Sequence, residues 1–168
     1  MKELVDVPHS ALKRGVVRGV FDGTIEEVWQ VVADFDRQAE FMPRMTVSKV
    51  RERKENHVFQ YAALDMPWPI ADVSYVVDIE VQEHRRQLAF VMVPNSGKGV
   101  RNFNGSTKLE PFPRDPKKTL GTLTIFFEPE RWYPKWIINL GTKSTLGKVV
   151  DAVRRRLRQQ QGSKHDLK

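Results

Sequence analysis

The sequence predicts an α+β domain: one curved antiparallel sheet of about seven strands, two short helices after the first strand, and a long C-terminal helix across the concave face. Three observations predict it. A helix-opening capping pattern at Thr24-Ile25-Glu26-Glu27 directly follows a strand-like run. Segments of period-two alternation then succeed one another, and an apolar stripe at helical spacing begins near Pro134.

Residues 15 to 22, Gly-Val-Val-Arg-Gly-Val-Phe-Asp, read as the first strand, and residues 1 to 12 as an N-terminal extension. In the capping box that follows, the Thr24 hydroxyl can accept from the backbone at Glu27 while the Glu27 carboxylate reaches back. Val28, Val31 and Val32, with Trp29 beside them, form the apolar face of this helix to about Asp34. Asp36 and Pro43 break the chain around a short helical turn near Gln38 to Phe41.

Candidate strands run over 45–53, 57–64, 73–83, 87–93, 101–110 and 119–128. In the clearest, Tyr75, Val77, Ile79 and Val81 alternate with Ser74, Asp78, Glu80 and Gln82, the pattern of a sheet with one wet and one buried face. Turn chemistry separates the segments at 54–57, 83–86, 94–99 and 111–116.

The last helix starts near Pro134, whose missing N–H is not needed in a first turn, and runs about 24 residues. Ile138, Leu146, Val149, Val150, Val153 and Leu157 share one face with the polar Asn139 and Thr142. It ends in a basic run, of which residues 159–168 are expected to form a flexible tail. Seven strands are too wide for two small helices to cover, so the long helix must lie across the sheet. The space between them is where a ligand cavity forms.

The 168 residues fit one domain, 1–168, able to bury roughly 70% of the surface its unfolded chain exposes. No stretch approaches the roughly 20 apolar residues of a membrane-spanning helix. The first six residues include two acids and no continuous apolar run, unlike a secretory signal, so a cytoplasmic location is expected. The absence of cysteine excludes disulfides and thiolate metal sites. Of the net charge of +7, residues 154–168 hold six cations against one acid, a local +5, which leaves +2 for the rest. The basic character thus belongs to the C-terminal end.

Catalytic chemistry is not readable. His9, His57, His84 and His165 show no metal-ligand spacing, and no Gly-x-Ser-x-Gly elbow occurs. Gly97-Lys98-Gly99 lies between two strands, where a phosphate loop would need a following helix, and reads as a turn.

Three segments carry a resemblance to the START-like lipid-transfer domains of the birch-pollen-allergen and polyketide cyclase superfamily, which have the helix-grip fold. Met66-Pro67-Trp68-Pro69-Ile70-Ala71-Asp72-Val73-Ser74-Tyr75-Val76 is similar to that family's proline-tryptophan-proline stretch leading into a strand. Residues 100–111, ending Leu109-Glu110-Pro111, look like its strand closed by leucine, a variable residue and proline. Residues 128–139, Glu-Pro-Glu-Arg-Trp-Tyr-Pro-Lys-Trp-Ile-Ile-Asn, resemble its junction into the last helix. The chain departs from the family's usual residues at Asp72-Val73-Ser74, Thr107 and Glu128-Pro129-Glu130-Arg131, so ligand identity does not carry over. The resemblance implies a cavity for a hydrophobic molecule, with no cofactor and no metal.

On that basis the candidate ligand-binding residues are Phe59, Tyr61, Tyr75, Val77, Phe90, Met92, Phe103, Ile125 and Phe127 from the strands. Ile138, Asn139, Thr142 and Leu146 join them from the last helix, with Lys135, Lys148 and Arg155 facing water. Arg101 is a further candidate, since it shares parity with Phe103; it either meets a partner on the covered face or escapes to solvent at the strand end.

The leading functional expectation is binding and transfer of a lipid, sterol, quinone or similar molecule, without enzymatic activity. A cyclase or dehydratase using the same cavity is the alternative from another class, and would need a titratable group deep inside. A third is an interaction protein using its basic end. Expected partners are a hydrophobic ligand and, transiently, an anionic membrane surface, with no specific nucleic acid.

Overall fold

Eight strands form one antiparallel sheet in the computed structural model, which describes residues 1–167. In chain order the elements are β1 (Lys2–Asp6), β2 (Lys13–Phe21), α1 (Ile25–Val32), a 3₁₀ helix (Phe35–Glu40), β3 (Met45–Lys54) and β4 (His57–Leu64). Then come β5 (Val73–Gln82), a 3₁₀ turn (Glu83–Arg85), β6 (Gln87–Met92), β7 (Val100–Phe112), β8 (Asp115–Pro129) and α2 (Lys135–His165). Across the sheet the order is β1-β2-β8-β7-β6-β5-β4-β3. The chain is α+β with the helix-grip arrangement, and the sheet has one strand more than the seven expected.

The extra strand comes from the N-terminal extension. β1 pairs with β2 from Lys2 opposite Val17 to Asp6 opposite Lys13. It is an edge strand with exposed side chains over most of its length, so no apolar alternation marks it in the sequence.

α1 begins as the capping box requires: Thr24 Oγ1 accepts the Glu27 N–H at 3.3 Å, and Glu27 Oε2 accepts the Thr24 N–H at 2.9 Å. Its Val28, Trp29, Val31 and Val32 are buried. α2 buries Ile138, Thr142, Leu146, Val150, Val153 and Leu157 on one stripe. α2 packs closely on β2, where Gly15 and Gly19 lie under Leu146 and Val150 and leave room for them.

The C-terminal run is helical through His165 rather than a flexible tail from residue 159, and Lys168 lies outside the described residues. The reason is anchoring by polar contacts that no apolar pattern reveals. Arg154 donates to the Val20 carbonyl at 3.0 and 3.3 Å, Arg156 pairs with Glu40 at 2.7 Å, and Gln161 donates to the Asp22 carbonyl at 2.9 Å. α2 accordingly runs 31 residues rather than about 24.

Candidate functional site

Between α2 and the concave face of the sheet lies a cavity of about 230 Å³. Its floor comes from β4 to β8, one wall from α2, and its far side from Val32 and the 3₁₀ helix with Phe35 and Gln38. Met42 to Arg44, before β3, with Met45 at its start, and Met66, Pro67 and Ile70, before β5, close one end beside Gly141, Thr145 and Lys148 of α2. These two loops are joined by the Asp65 N–H donating to the Arg44 carbonyl at 2.9 Å. The second loop is also held by the Ala71 N–H, which donates to the Tyr133 hydroxyl at 3.0 Å.

Of the residues expected from sequence, Tyr75, Val77, Phe90, Phe103, Ile125, Phe127, Ile138 and Thr142 line this cavity. Phe103 links the aromatic ones: its ring lies 4.8 Å from that of Tyr75 and 5.5 Å from that of Phe90, centroid to centroid. β5 delivers Val73, Tyr75, Val77 and Ile79 together because its alternation is unbroken.

Six expected residues lie elsewhere. Phe59 and Tyr61 belong to the other face of β4, where Arg51 covers the Tyr61 ring at 4.6 Å; their neighbours Val58, Gln60 and Ala62 are the buried ones. Arg101 is exposed, pairs with Glu128 at 3.5 Å and donates to the Glu130 carbonyl. A register shift between Val100 and Asn102 breaks the parity that would have put it beside Phe103. Met92 is buried against the Gly97 turn. Asn139 turns to the start of β2, where its Oδ1 accepts the Lys13 N–H at 3.0 Å. Leu146 is spent on packing over Gly15. Lys148 is exposed as expected, but it also lines the cavity.

Beyond Tyr75 and Thr142, sequence reasoning missed the polar lining. Gln60, 3% exposed, donates to the Phe35 carbonyl at 2.8 Å and to Gln38 Oε1 at 2.9 Å. Ser106 and Thr124 hydroxyls pair at 2.9 Å. The Tyr75, Thr107 and Thr142 hydroxyls also belong to buried lining residues and make no hydrogen bond among the described residues. For Thr107 the signal was present, since it shares parity with Phe103. Burial pushes the Tyr75 phenol well above its ordinary range, so it stays protonated and can only donate or accept a hydrogen bond at neutral pH. Among the described residues no Asp or Glu lines the cavity, and no group of three or more His, Asp or Glu is placed to hold a metal ion.

Residues 22–154 match the family model described as "Polyketide cyclase / dehydrase and lipid transport". The chain belongs to this family. No curated protein sequence matches it. Among solved structures, the fold is similar to that of a STAR-related lipid transfer protein from Xanthomonas axonopodis, at 20% identity and a TM-score of 0.78, covering 92% of this chain and 91% of that one. A START superfamily protein from Mycobacterium smegmatis is similar at 14% identity and a TM-score of 0.73, covering 87% and 97%. So is the ZhuI aromatase/cyclase from Streptomyces sp. R1128, at 16% identity and 0.65, covering 86% and 93%. For this family member the likenesses establish the helix-grip fold, and the family description implies a small-molecule ligand. No helix among the described residues is long and apolar enough to cross a membrane.

Proposed function

We propose that this protein binds a hydrophobic small molecule, of the lipid, sterol or quinone kind, between its sheet and α2, and transfers it without chemical change. The observation that carries this reading is the cavity itself: largely aliphatic and aromatic, with scattered hydroxyls and the buried Gln60 bonded to the half-buried Gln38. Burial of a ligand's apolar part there supplies affinity at about 25 cal/mol per Å² removed from water. A cyclase or dehydratase would need a group that moves a proton at neutral pH. Tyr75 is the titratable side chain of the floor, and its burial favours the neutral phenol, which supports the non-enzymatic reading.

Transfer requires contact with a membrane, and three tryptophans support it. Trp68, Trp132 and Trp136 are 93%, 82% and 68% exposed, and the loops bearing Trp68 and Trp132 are tied by the Ala71–Tyr133 hydrogen bond beside the cavity end. Exposed tryptophan favours the membrane–water interface. The reading has the protein working in the cytoplasm without specific nucleic-acid binding; Arg154 and Arg156 are already engaged by Val20 and Glu40.

The test is to purify the protein from its own host, extract it, and identify what copurifies by native mass spectrometry, alongside titration with an environment-sensitive apolar dye. Stoichiometric, saturable binding that the extracted molecule displaces is expected. Absence of saturable binding for both dye and extract rejects the reading.

A further inference from the structure

The cavity has a charged mouth and an uncharged interior. Arg44 and Lys148 are the charged side chains that line it, and both are cations. Among the described residues neither forms a salt bridge, although ten such pairs occupy other parts of the surface. Both are exposed, and they come from different parts of the fold. Lys148 follows Gly141 and Thr145 on one stripe of α2, at i, i+4 and i+7. Arg44 sits in the loop before β3 with φ 62°, a left-handed backbone that is uncommon for a side chain larger than glycine. The hydrogen bond from Asp65 to its carbonyl fixes that turn against the loop before β5. Of the acids in the latter loop, Asp72 accepts the Met66 N–H at 2.9 Å, and neither it nor Asp65 lines the cavity.

We infer that the ligand carries an anionic head group, a carboxylate or phosphate, seated at the mouth between Arg44 and Lys148 with its apolar part inside. This rests on the reading of the cavity as a ligand site and names the ligand's class. Two cations without acidic partners at the edge of an apolar, low-dielectric space attract an anion and repel a cationic head. At about 230 Å³ the cavity is just below the roughly 300–1,000 Å³ usual for small-molecule pockets. It therefore accommodates the apolar part of a ligand and leaves the head at the opening.

The experiment compares dodecanoate, dodecyl phosphate and dodecanol, three ligands with one chain and different heads, by calorimetric titration of the full chain below their micellar concentrations. At least one of the two anions should bind about tenfold more tightly than the alcohol, the size expected of two partly screened contacts. High salt should shrink that advantage and leave the alcohol unchanged. Arg44→Gln and Lys148→Gln, singly and together, should remove the advantage stepwise while dodecanol binding persists. Both side chains are exposed, and the wild-type comparison stands without the variants.

Dodecanol binding as tightly as both anions overturns the head-group inference and leaves the cavity reading in place. Binding by none of the three overturns both. Inorganic phosphate that binds through Arg44 and Lys148 as tightly as dodecyl phosphate also overturns it, because the site would then take a free anion.

Discussion

Leu146 lies over Gly15 so closely that a Cβ on the glycine would come within 2.5 Å of Leu146 Cδ1 and 2.8 Å of Thr142 Cγ2. This is where α2 is set against β2, and so where one wall of the cavity is fixed in height. Gly15→Ala should lower stability by about 1–3 kcal/mol, because the added methyl forces the helix or its side chains to shift. Leu146→Ala alone should cost about 2–5 kcal/mol as a buried truncation. In the double variant the new methyl occupies part of the vacated space, so the combined cost should fall short of the sum. Chemical denaturation of the four proteins measures this; strict additivity contradicts the contact.

Gln60 is the buried polar side chain that joins the floor to the 3₁₀ helix, through the Phe35 carbonyl and Gln38. Gln60→Leu keeps the volume and leaves that carbonyl without its donor, at a cost of about 1–3 kcal/mol. The same variant should loosen the Phe35–Glu40 segment selectively, visible as faster amide exchange there than in β7 and β8. Unchanged stability and exchange would mean that water replaces the amide without loss.

On the outer face, His57 Nδ1 lies 2.6 Å from Asp78 Oδ1. The hydrogen bond to Asp78 raises the imidazole above its usual 6.5, against a smaller desolvation effect and with help from the charges of Asp78, Glu80 and Glu55. A raised value in the folded state means that the pair stabilises the fold fully below pH 6.5 and loses that contribution as pH rises through the folded value. An NMR titration should place the His57 midpoint above 6.5 in the wild type and move it back toward 6.5 in Asp78→Asn. The stability difference between the two proteins should narrow as pH rises; a difference that widens contradicts the assignment.

The fold was legible where periodicity survives burial, and illegible where polar contacts or backbone irregularity decide. Tyr75 and Val77 were placed correctly because β5 alternates without a break against two neighbours. For Arg101 two readings stayed open, beside Phe103 or out to solvent, because no feature of Val100-Arg101-Asn102 announces the bulge that decides for solvent. In β4 the alternation itself was real, but the heavier side chains, Phe59 and Tyr61, suggested the wrong face. The face turned inward is Val58, Gln60 and Ala62, and only the Gln60 hydrogen bonds explain why a glutamine belongs there. Arg44 and Lys148 could not be found at all from spacing, since 104 residues separate them and only the packing of two loops against α2 brings both to one opening.

The last prediction concerns access past α2. Thr142 lines the cavity, yet its methyl already approaches the Gly15 position, so a tryptophan there would push against β2 as much as into the cavity. Gly141, one residue earlier, lines the cavity at the mouth, and a Cβ built on it meets no atom within 4 Å. Gly141→Phe should therefore place a ring in open space at the entrance. It should also raise helix stability by a few tenths of a kcal/mol, since glycine is a poor helix former at about 0.8–1.0 kcal/mol below alanine. The expected outcome is a melting temperature equal to or above that of the wild type, with association of an apolar dye slowed at least about tenfold. Thr142→Trp should instead lose melting temperature and binding together. An unchanged dye association rate in a stable Gly141→Phe protein would show that ligands enter the cavity by another route.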